Sequence, residues 1–154
     1  PVLVDLVHAH RGYIVDMTRM FVAGSLDATW VSRLEDMVAV KDTVVDVLDR
    51  GGLCSEAWDE GFALANEFGH ASHLMGMAPD QSRFLGHSVG LQLDESPVVA
   101  KGFERPLPIG ATMAIEPKVV HAEGSIGTED TWIRDEDGMR PITADGLWPA
   151  ITEW

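Results

Sequence analysis

The sequence predicts an α+β fold in one domain that spans residues 1–154. The order of elements favours this fold class, because a predicted hairpin comes first, two helices follow, and strands fill the rest of the chain. The 154 residues fit a single domain, which at this size buries roughly 68–70% of the surface that its unfolded chain exposes. With 45% hydrophobic and 23% charged residues, the composition is that of a globular protein.

The first predicted element is a β-hairpin. Residues 1–9 and 13–22 are rich in valine, isoleucine, leucine and phenylalanine, which favours strands. Arg11 and Gly12 lie between them and suit a tight reversal. Asp5 and Asp16 would therefore lie on neighbouring strands.

Two helices are predicted after the hairpin. Ser25 or Asp27 can cap the first helix, which ends at the Gly51-Gly52 pair. Its apolar residues recur at helical spacing: they are Val31, Leu34, Val38, Val45 and Leu48.

The second helix is predicted to be capped by Ser55 and to end near Gly69. Residues 70–80 lack periodicity and contain Gly76 and Pro79, which indicates a loop. Helix therefore gives way to irregular structure before the strands begin.

The second half of the chain is predicted to be mostly strand. The expected strands cover residues 84–93, 112–121 and 126–134. Residues 135–138 (Asp-Glu-Asp-Gly) would close a last hairpin.

Charge and cysteine content exclude several kinds of protein. The formal net charge of −14 repels phosphate backbones and anionic lipid surfaces, so neither a nucleic-acid nor a membrane partner is expected. No apolar run approaches the ~20 residues of a membrane span. The single cysteine and the lack of a secretion signal make the cytoplasm the expected location. Because Pro1 rather than Met opens an apolar run, we expect the chain to begin inside a larger protein.

Four acidic residues stand among apolar neighbours in predicted strands: Asp5, Asp16, Glu116 and Glu129. The strands of Asp5 and Asp16 are expected to be buried. A single strand acid more often pairs with a cation or lies at a sheet edge. Four are harder to neutralise, since 25 acids face 11 lysines and arginines. Converging carboxylates repel one another unless cations compensate. The four acids together therefore predict a divalent-metal site, in which a water can be activated for hydrolysis.

His87 offers a nitrogen ligand for the same site. It lies between Gly86 and Gly90 in a predicted strand, where the glycines permit close backbone approach. A histidine on its own is more often structural, but imidazole is also a frequent metal ligand. The predicted ligand set is Asp5, Asp16, His87, Glu116 and Glu129.

The order of the motifs resembles the M24 metallopeptidases, the family of methionine aminopeptidase, aminopeptidase P, prolidase and creatinase. The two aspartates are 11 residues apart (16 minus 5), as in that family. The matching segments are Val2-Leu3-Val4-Asp5-Leu6, Gly12-Tyr13, Asp16-Met17-Thr18-Arg19-Met20-Phe21, Gly86-His87-Ser88-Val89-Gly90, Ile115-Glu116-Pro117 and Glu129-Asp130-Thr131.

The resemblance implies the pita-bread fold. In that fold a curved, mostly antiparallel sheet carries helices on its outer face and is built from two related halves. The chain starts at the family's first metal-binding strand, so the resemblance implies that the N-terminal part of the first half is missing.

The resemblance also implies roles for individual residues. Asp5 would bind one metal, Asp16 and Glu129 would bridge two, and His87 and Glu116 would complete the other. His87 and Glu116 would be the catalytic residues, with Glu116 as proton shuttle and a metal-bridging water or hydroxide as nucleophile. Thr18 would contact the metal-binding side chains without binding a metal itself. Asp94 stands where the family usually has a second, substrate-contacting histidine.

The expected cofactor is a pair of divalent ions. Manganese, cobalt, zinc and iron all accept carboxylate and imidazole ligands. The expected activity is cleavage of the N-terminal bond of short peptides, with an Xaa-Pro dipeptidase or aminopeptidase as the first candidate, in a chain that can form a homodimer. Asp94 leaves a hydrolase of small non-peptide amides open, and a non-catalytic pita-bread module that binds peptides or proteins is the third reading.

Other motifs give weaker hypotheses. Residues 86–90 fit G-x-S-x-G, which would make Ser88 a nucleophile. That motif needs a helix next, yet a strand and a loop are predicted. Two pairs of histidines, at residues 8 and 10 and at residues 70 and 73, could bind metal, although surface roles are expected for both pairs. Cys54 is expected to be a buried small hydrophobe.

Overall fold

The element order confirms the α+β prediction. The computed structural model describes residues 1–144 and the backbone of residues 151–153. In that part of the chain the elements are β1 (Val2–His10), β2 (Tyr13–Val22), α1 (Ala28–Asp49), α2 (Cys54–Glu67), β3 (Gly86–Ser88), β4 (Glu95–Val99), β5 (Thr112–Ile115), β6 (Lys118–His121), β7 (Gly124–Gly127), β8 (Asp130–Asp135), β9 (Gly138–Pro141) and β10 (Ile151–Glu153).

The described strands form three hydrogen-bonded groups. The order is β1-β2-β10 in the first, β4-β3-β5-β8-β9 in the second and β6-β7 in the third. All pairs are antiparallel except β10 with β2. The predicted first hairpin is confirmed: Arg11 and Gly12 adopt φ of 53° and 89°, the left-handed values that a two-residue hairpin turn requires.

The first helix begins and ends as predicted. Asp27 is its N-cap, with the carboxylate accepting a hydrogen bond from the Thr29 backbone N–H at 2.8 Å. At the other end Gly51 adopts φ of 80°, a conformation that stops a helix at little steric cost. No described helix has the length and the apolar character that a membrane crossing requires.

The predicted cap of the second helix is wrong. Leu53 is the N-cap residue, and Ser55 lies inside the first turn. The first backbone N–H groups of this helix donate to the loop that follows β4: Cys54 to the Arg105 carbonyl and Ser55 to the Phe103 carbonyl. A distant backbone segment thus replaces the side-chain cap.

Three strand predictions hold only in part. In residues 84–93 only β3 is strand, with an irregular register after His87, and β4 lies beyond the predicted range. Residues 112–121 divide at Pro117, which has no N–H to give to a ladder. Residues 126–134 divide likewise into β7 and β8. The last hairpin is confirmed, with Asp135 paired to Gly138.

The core lies between the helices and one face of the strands. Side chains of α1, including Met37, Val40 and Val44, are fully buried together with Leu85, Met113, Ile115 and Ile126 from the strand region. Because side chains alternate across a strand, Ala114 and Glu116 project away from that core. His87 pairs with Ala114, and Ala114 with Thr131, so the polar face of the sheet is opposite the helices.

Candidate metal centre

Three buried side chains converge on the polar face of the strands. Asp16 (β2), His87 (β3) and Glu129 (just before β8) each direct a ligand-type atom to one place, and these atoms all lie within 4.8 Å of one another. All three residues are buried. Two oxygens and one nitrogen at this spacing form a set that can hold a divalent ion.

The other two predicted residues extend this cluster. Glu116 Oε1 lies 3.2 Å from His87 Nε2, which is also 3.9 Å from Asp16 Oδ2. Asp5 interacts directly with the Asp16 carboxyl group. The structure therefore brings all five predicted side chains together.

The prediction that Asp5 lies in a buried strand is wrong. Asp5 is exposed, as is most of β1. The reason is topological, because β1 is at the edge of its sheet in the described part of the chain. The cluster is consequently buried on the His87 side and open on the Asp5 side.

Hydrogen bonds between β2 and β8 set the spacing of the two buried acids. The Thr18 N–H donates to the Glu129 carbonyl at 3.2 Å, and Thr18 Oγ1 donates to Glu129 Oε2 at 2.5 Å. Thr131 Oγ1 accepts from the Asp16 N–H at 3.1 Å and donates to the Asp16 carbonyl at 2.7 Å. Both acids are thus held by a neighbour on the other strand.

Arg19 is a residue of the site that the sequence reasoning did not identify. Its Nη1 donates to the carbonyls of Thr18 (2.8 Å) and Glu129 (3.0 Å). Its Nη2 donates to Asp130 Oδ1 at 3.0 Å and to the Thr143 carbonyl at 2.8 Å. The sequence could have indicated this ion pair, because Arg19 and Asp130 carry opposite charges and each is adjacent to a residue of the predicted site.

The ring of His87 has a defined orientation. Its Nδ1 lies 3.2 Å from the Ser88 carbonyl oxygen and 3.5 Å from Asp94 Oδ1. A carbonyl only accepts, so Nδ1 carries a proton, and Nε2 faces the acids. Asp94 is 73% exposed along its side chain, which places it at the mouth of the cluster.

The pKa values of three residues in the cluster are raised above their ordinary values. Burial, and then the charge of Asp5, raise the pKa of Asp16 to about 6. Burial, and then the charge of Glu116, raise the pKa of Glu129 to about 8. Although burial acts in the opposite direction, the hydrogen bond and charge of Glu116 raise the pKa of His87 to about 9. Burial is the largest cause for the two acids, and neighbouring carboxylates contribute to all three shifts, so a cation in the cluster would relieve their mutual repulsion.

One buried oxygen also fits a metal site. Asp16 Oδ1 has no hydrogen-bond partner among the described residues, and a buried oxygen without a partner is costly. An ion beside it would satisfy that oxygen and offset the repulsion between the acids. The donor set, the orphan oxygen and the raised pKa values therefore all fit a divalent cation.

Lys118 is the second residue that the sequence reasoning missed. Its Nζ lies 2.7 Å from Glu116 Oε2. Burial acts to lower its pKa, but Glu116, Glu129 and Asp5 raise it above the ordinary value for lysine. The spacing of Glu116 and Lys118 could have indicated this contact, because residues two apart on an extended chain project to the same side.

Replacing Gly86 by alanine is expected to disturb both the fold and His87. A Cβ at this position would overlap the Ala114 carbonyl oxygen and lie 3.2 Å from Ile115 Cα. Because backbone cannot move as a flexible side chain can, we expect a loss of about 1–3 kcal/mol in the free energy of unfolding. Urea denaturation measures it.

Gly90→Ala is the matched control for that change. The nearest atoms to a Cβ at residue 90 belong to the Glu95 carboxylate, at 3.2 and 3.4 Å, and a surface side chain can move aside. Equal urea midpoints for the two variants would contradict the assigned role of Gly86.

The remaining sequence hypotheses lie outside the cluster. Ser88 is followed by bends rather than a helix, so the nucleophile-elbow hypothesis is wrong. His70 contacts Asp36, and His73 stacks on His121 with ring centroids 4.0 Å apart. Cys54 is fully buried, as expected. His8 and His10 are exposed on β1.

Comparison with known proteins places the chain in a family. The sequence profile of Metallopeptidase family M24 matches residues 1–136. The chain is 26% identical over 143 residues to an Xaa-Pro dipeptidase of Pyrococcus furiosus, covering 92% of this chain and 39% of that protein. It therefore spans about two fifths of that relative's length.

Solved structures agree with the family profile. An X-Pro aminopeptidase from Thermotoga maritima superposes with a TM-score of 0.86 at 18% identity, over 99% of this chain and 41% of that one. The prolidase from Pyrococcus furiosus superposes with a TM-score of 0.80 at 26% identity, over 91% and 40%. The fold is the predicted pita-bread fold. The ordered motifs, the converging side chains and the profile lead to one conclusion: the chain belongs to metallopeptidase family M24.

Proposed function

We propose that this chain carries the metal centre of a peptidase that cleaves the N-terminal bond of short peptides, with Xaa-Pro dipeptides as the first candidate substrates. The observation that carries the proposal is the buried convergence of Asp16, His87 and Glu129 around the orphan oxygen of Asp16. The similarity to proteins named Xaa-Pro dipeptidase supports the substrate class.

The proposed site holds two divalent ions. Asp5 would hold one ion, His87 and Glu116 would hold the other, and Asp16 and Glu129 would contribute to both. When bound, the ions would lower the pKa of a water and polarise the carbonyl of the scissile bond. Manganese, cobalt, zinc and iron all suit this mixed oxygen and nitrogen set.

Glu116 is the proposed proton carrier. Burial acts to raise its pKa, but His87 and Lys118 hold that pKa below the ordinary value. The carboxylate is therefore ionised near neutral pH and able to accept a proton from a water within the cluster. A carboxylate that passes this proton to the departing amine then returns to its starting state.

Asp94 supports a second candidate, a metal-dependent hydrolase of small non-peptide amides. Its carboxylate lies beside His87 at the mouth of the cluster, at the position where the resemblance leads one to expect a substrate-contacting histidine. An anion there does not donate a hydrogen bond to a peptide carbonyl as a histidine can. The substrate preference therefore depends on this position.

A screen of the full-length protein tests the proposed activity. The purified protein is supplied with each candidate metal and given Xaa-Pro dipeptides, longer peptides and small amides, with Asp16→Asn as the inactive control. Cleavage of Xaa-Pro dipeptides is expected. Cleavage of amides alone would favour the second candidate, and metal binding without any hydrolysis would favour a non-catalytic peptide- or protein-binding module.

A homodimer and a cytoplasmic location remain predictions from the sequence. Light scattering of the full-length protein measures the first, and fractionation of the source cells measures the second.

Thr18→Val is expected to weaken metal binding. Thr18 Oγ1 donates to Glu129 Oε2, and groups that orient a ligand in this way typically contribute 10–100-fold to metal affinity. Isothermal titration with Mn²⁺ measures the effect.

Thr43→Val is the control for Thr18→Val. Its hydroxyl donates to the Ala39 carbonyl within α1, away from the acids. If Thr18→Val and Thr43→Val bind Mn²⁺ equally, Thr18 does not orient Glu129 for a metal.

A further inference from the structure

Lys118 lies inside the carboxylate cluster rather than on the surface. It opens β6 and pairs with Gly127 on β7, where a Cβ would overlap that of Lys118. Gly127 thus leaves room for the lysine stem to pass. The Nζ ends 2.7 Å from Glu116 Oε2, and the side chain is 19% exposed.

The ammonium group adds a positive charge to the acids of the cluster. Its charge interacts with Glu116, Glu129 and Asp5. Glu116 lies between His87 and Lys118, with Oε1 3.2 Å from His87 Nε2 and Oε2 2.7 Å from Lys118 Nζ.

We propose that Lys118 supplies one positive charge to the carboxylate cluster and competes with a divalent ion for Glu116, so that the second of the two ions binds more weakly than the first. The inference rests on the proposed function, because it assumes that these acids bind metal. It adds a positioning residue that sets how the two ions share the cluster.

The physical reason is electrostatic competition. A fixed ammonium repels a divalent ion that approaches the same carboxylates, and this repulsion is strong where little solvent screens it. The hydrogen bond to Glu116 Oε2 also occupies an oxygen that a second ion could use. In the metal-free protein the same ammonium offsets the repulsion among four carboxylates.

The alternative is that Lys118 and Glu116 form an ordinary ion pair that only supports the fold. In that case removal of the charge would lower stability without a specific change in metal binding. The two readings differ in how metal affinity responds, so metal binding decides between them.

Calorimetric titration of the metal-free, full-length protein with Mn²⁺ tests the proposal, with Lys118→Met, Lys118→Gln and Lys118→Arg compared with wild type. We expect two binding steps in wild type, and a second step tightened at least about tenfold in the Met and Gln variants, because a positive charge 2.7 Å from Glu116 is removed. Lys118→Arg keeps the charge and should bind as wild type does. Thermal unfolding without metal should show lower Tm for the two neutral variants and a larger rise in Tm when Mn²⁺ is added.

Lys101→Met is the matched control, because Lys101 is exposed and away from the cluster. Its metal binding should equal that of wild type. The proposal is overturned if the neutral Lys118 variants bind Mn²⁺ as wild type does, or if Lys118→Arg behaves as Lys118→Met does. If wild type and all variants bind no metal, the proposed function fails first and this inference fails with it.

Discussion

Asp16→Asn is expected to remove most of the divalent-metal binding of the protein. Asp16 interacts with Asp5 on one side and lies 3.9 Å from His87 Nε2 on the other, so its carboxylate would serve both ions. Asparagine keeps the shape but not the charge. Loss of both ions would lower kcat/KM at least ~1,000-fold, which corresponds to about 4 kcal/mol of transition-state stabilisation.

The same change should not weaken the metal-free fold. The backbone bonds of Asp16 to Thr131 remain available to asparagine. Because the pKa of Asp16 is raised from 3.8 to about 6, its ionised form is disfavoured in the folded state above that pH. Near neutral pH the variant should unfold without metal at an equal or higher denaturant concentration than wild type.

Metal analysis after dialysis and peptidase assays measure the two effects. Glu129→Gln should behave in the same way, since Glu129 belongs to the same trio. Asp59→Asn is the control, because Asp59 is exposed on α2. If both Asp16→Asn and Glu129→Gln keep the full metal content of wild type, the proposed metal centre is wrong.

Arg19→Leu is expected to destabilise the protein by about 3–5 kcal/mol, the range typical of breaking a buried ion pair from one side. Arg19 and Asp130 are 7% and 8% exposed along their side chains. Leucine would leave Asp130 charged and buried, and would leave the carbonyls of Thr18 and Glu129 without their shared donor. Urea denaturation of the metal-free protein measures the loss.

A double variant separates the ion pair from the packing. If the stranded charge of Asp130 causes the loss, Arg19→Leu with Asp130→Asn should recover part of it, as a double-mutant cycle quantifies. Arg19→Lys should recover less than full stability, because lysine cannot make the four bonds of the guanidinium fork. A single variant as stable as wild type would show that Arg19 does not hold β2 against β8.

The sequence predicted the elements with strong local signals. Alternating apolar residues around the Arg11-Gly12 turn defined the first hairpin, and Asp27 and Gly51 bounded the first helix. Their structures depend on neighbours in the chain, which a sequence displays directly. The convergence of the five predicted side chains followed from the order of the motifs.

The features that were missed depend on contacts between distant segments. Carbonyls of residues 103 and 105 cap α2 in place of Ser55. The exposure of Asp5 follows from the edge position of β1, which the apolar pattern of that strand does not reveal. Taken one at a time, Lys118 and Arg19 are not distinguished in the sequence from other charged residues. The fold brings Lys118 to Glu116 and Arg19 to Asp130 and the Glu129 carbonyl.

The hydrogen bond between Thr18 and Glu129 joins residues that are 111 positions apart in the sequence, and this separation affects the rate of folding. The strands that hold the acids pair across a long stretch of chain, and such non-local pairing slows folding. We therefore expect metal capture to be among the last events of refolding. Stopped-flow refolding in the presence of Mn²⁺ would then show helix formation before metal uptake. Metal uptake would mark the time at which the distant strands have paired.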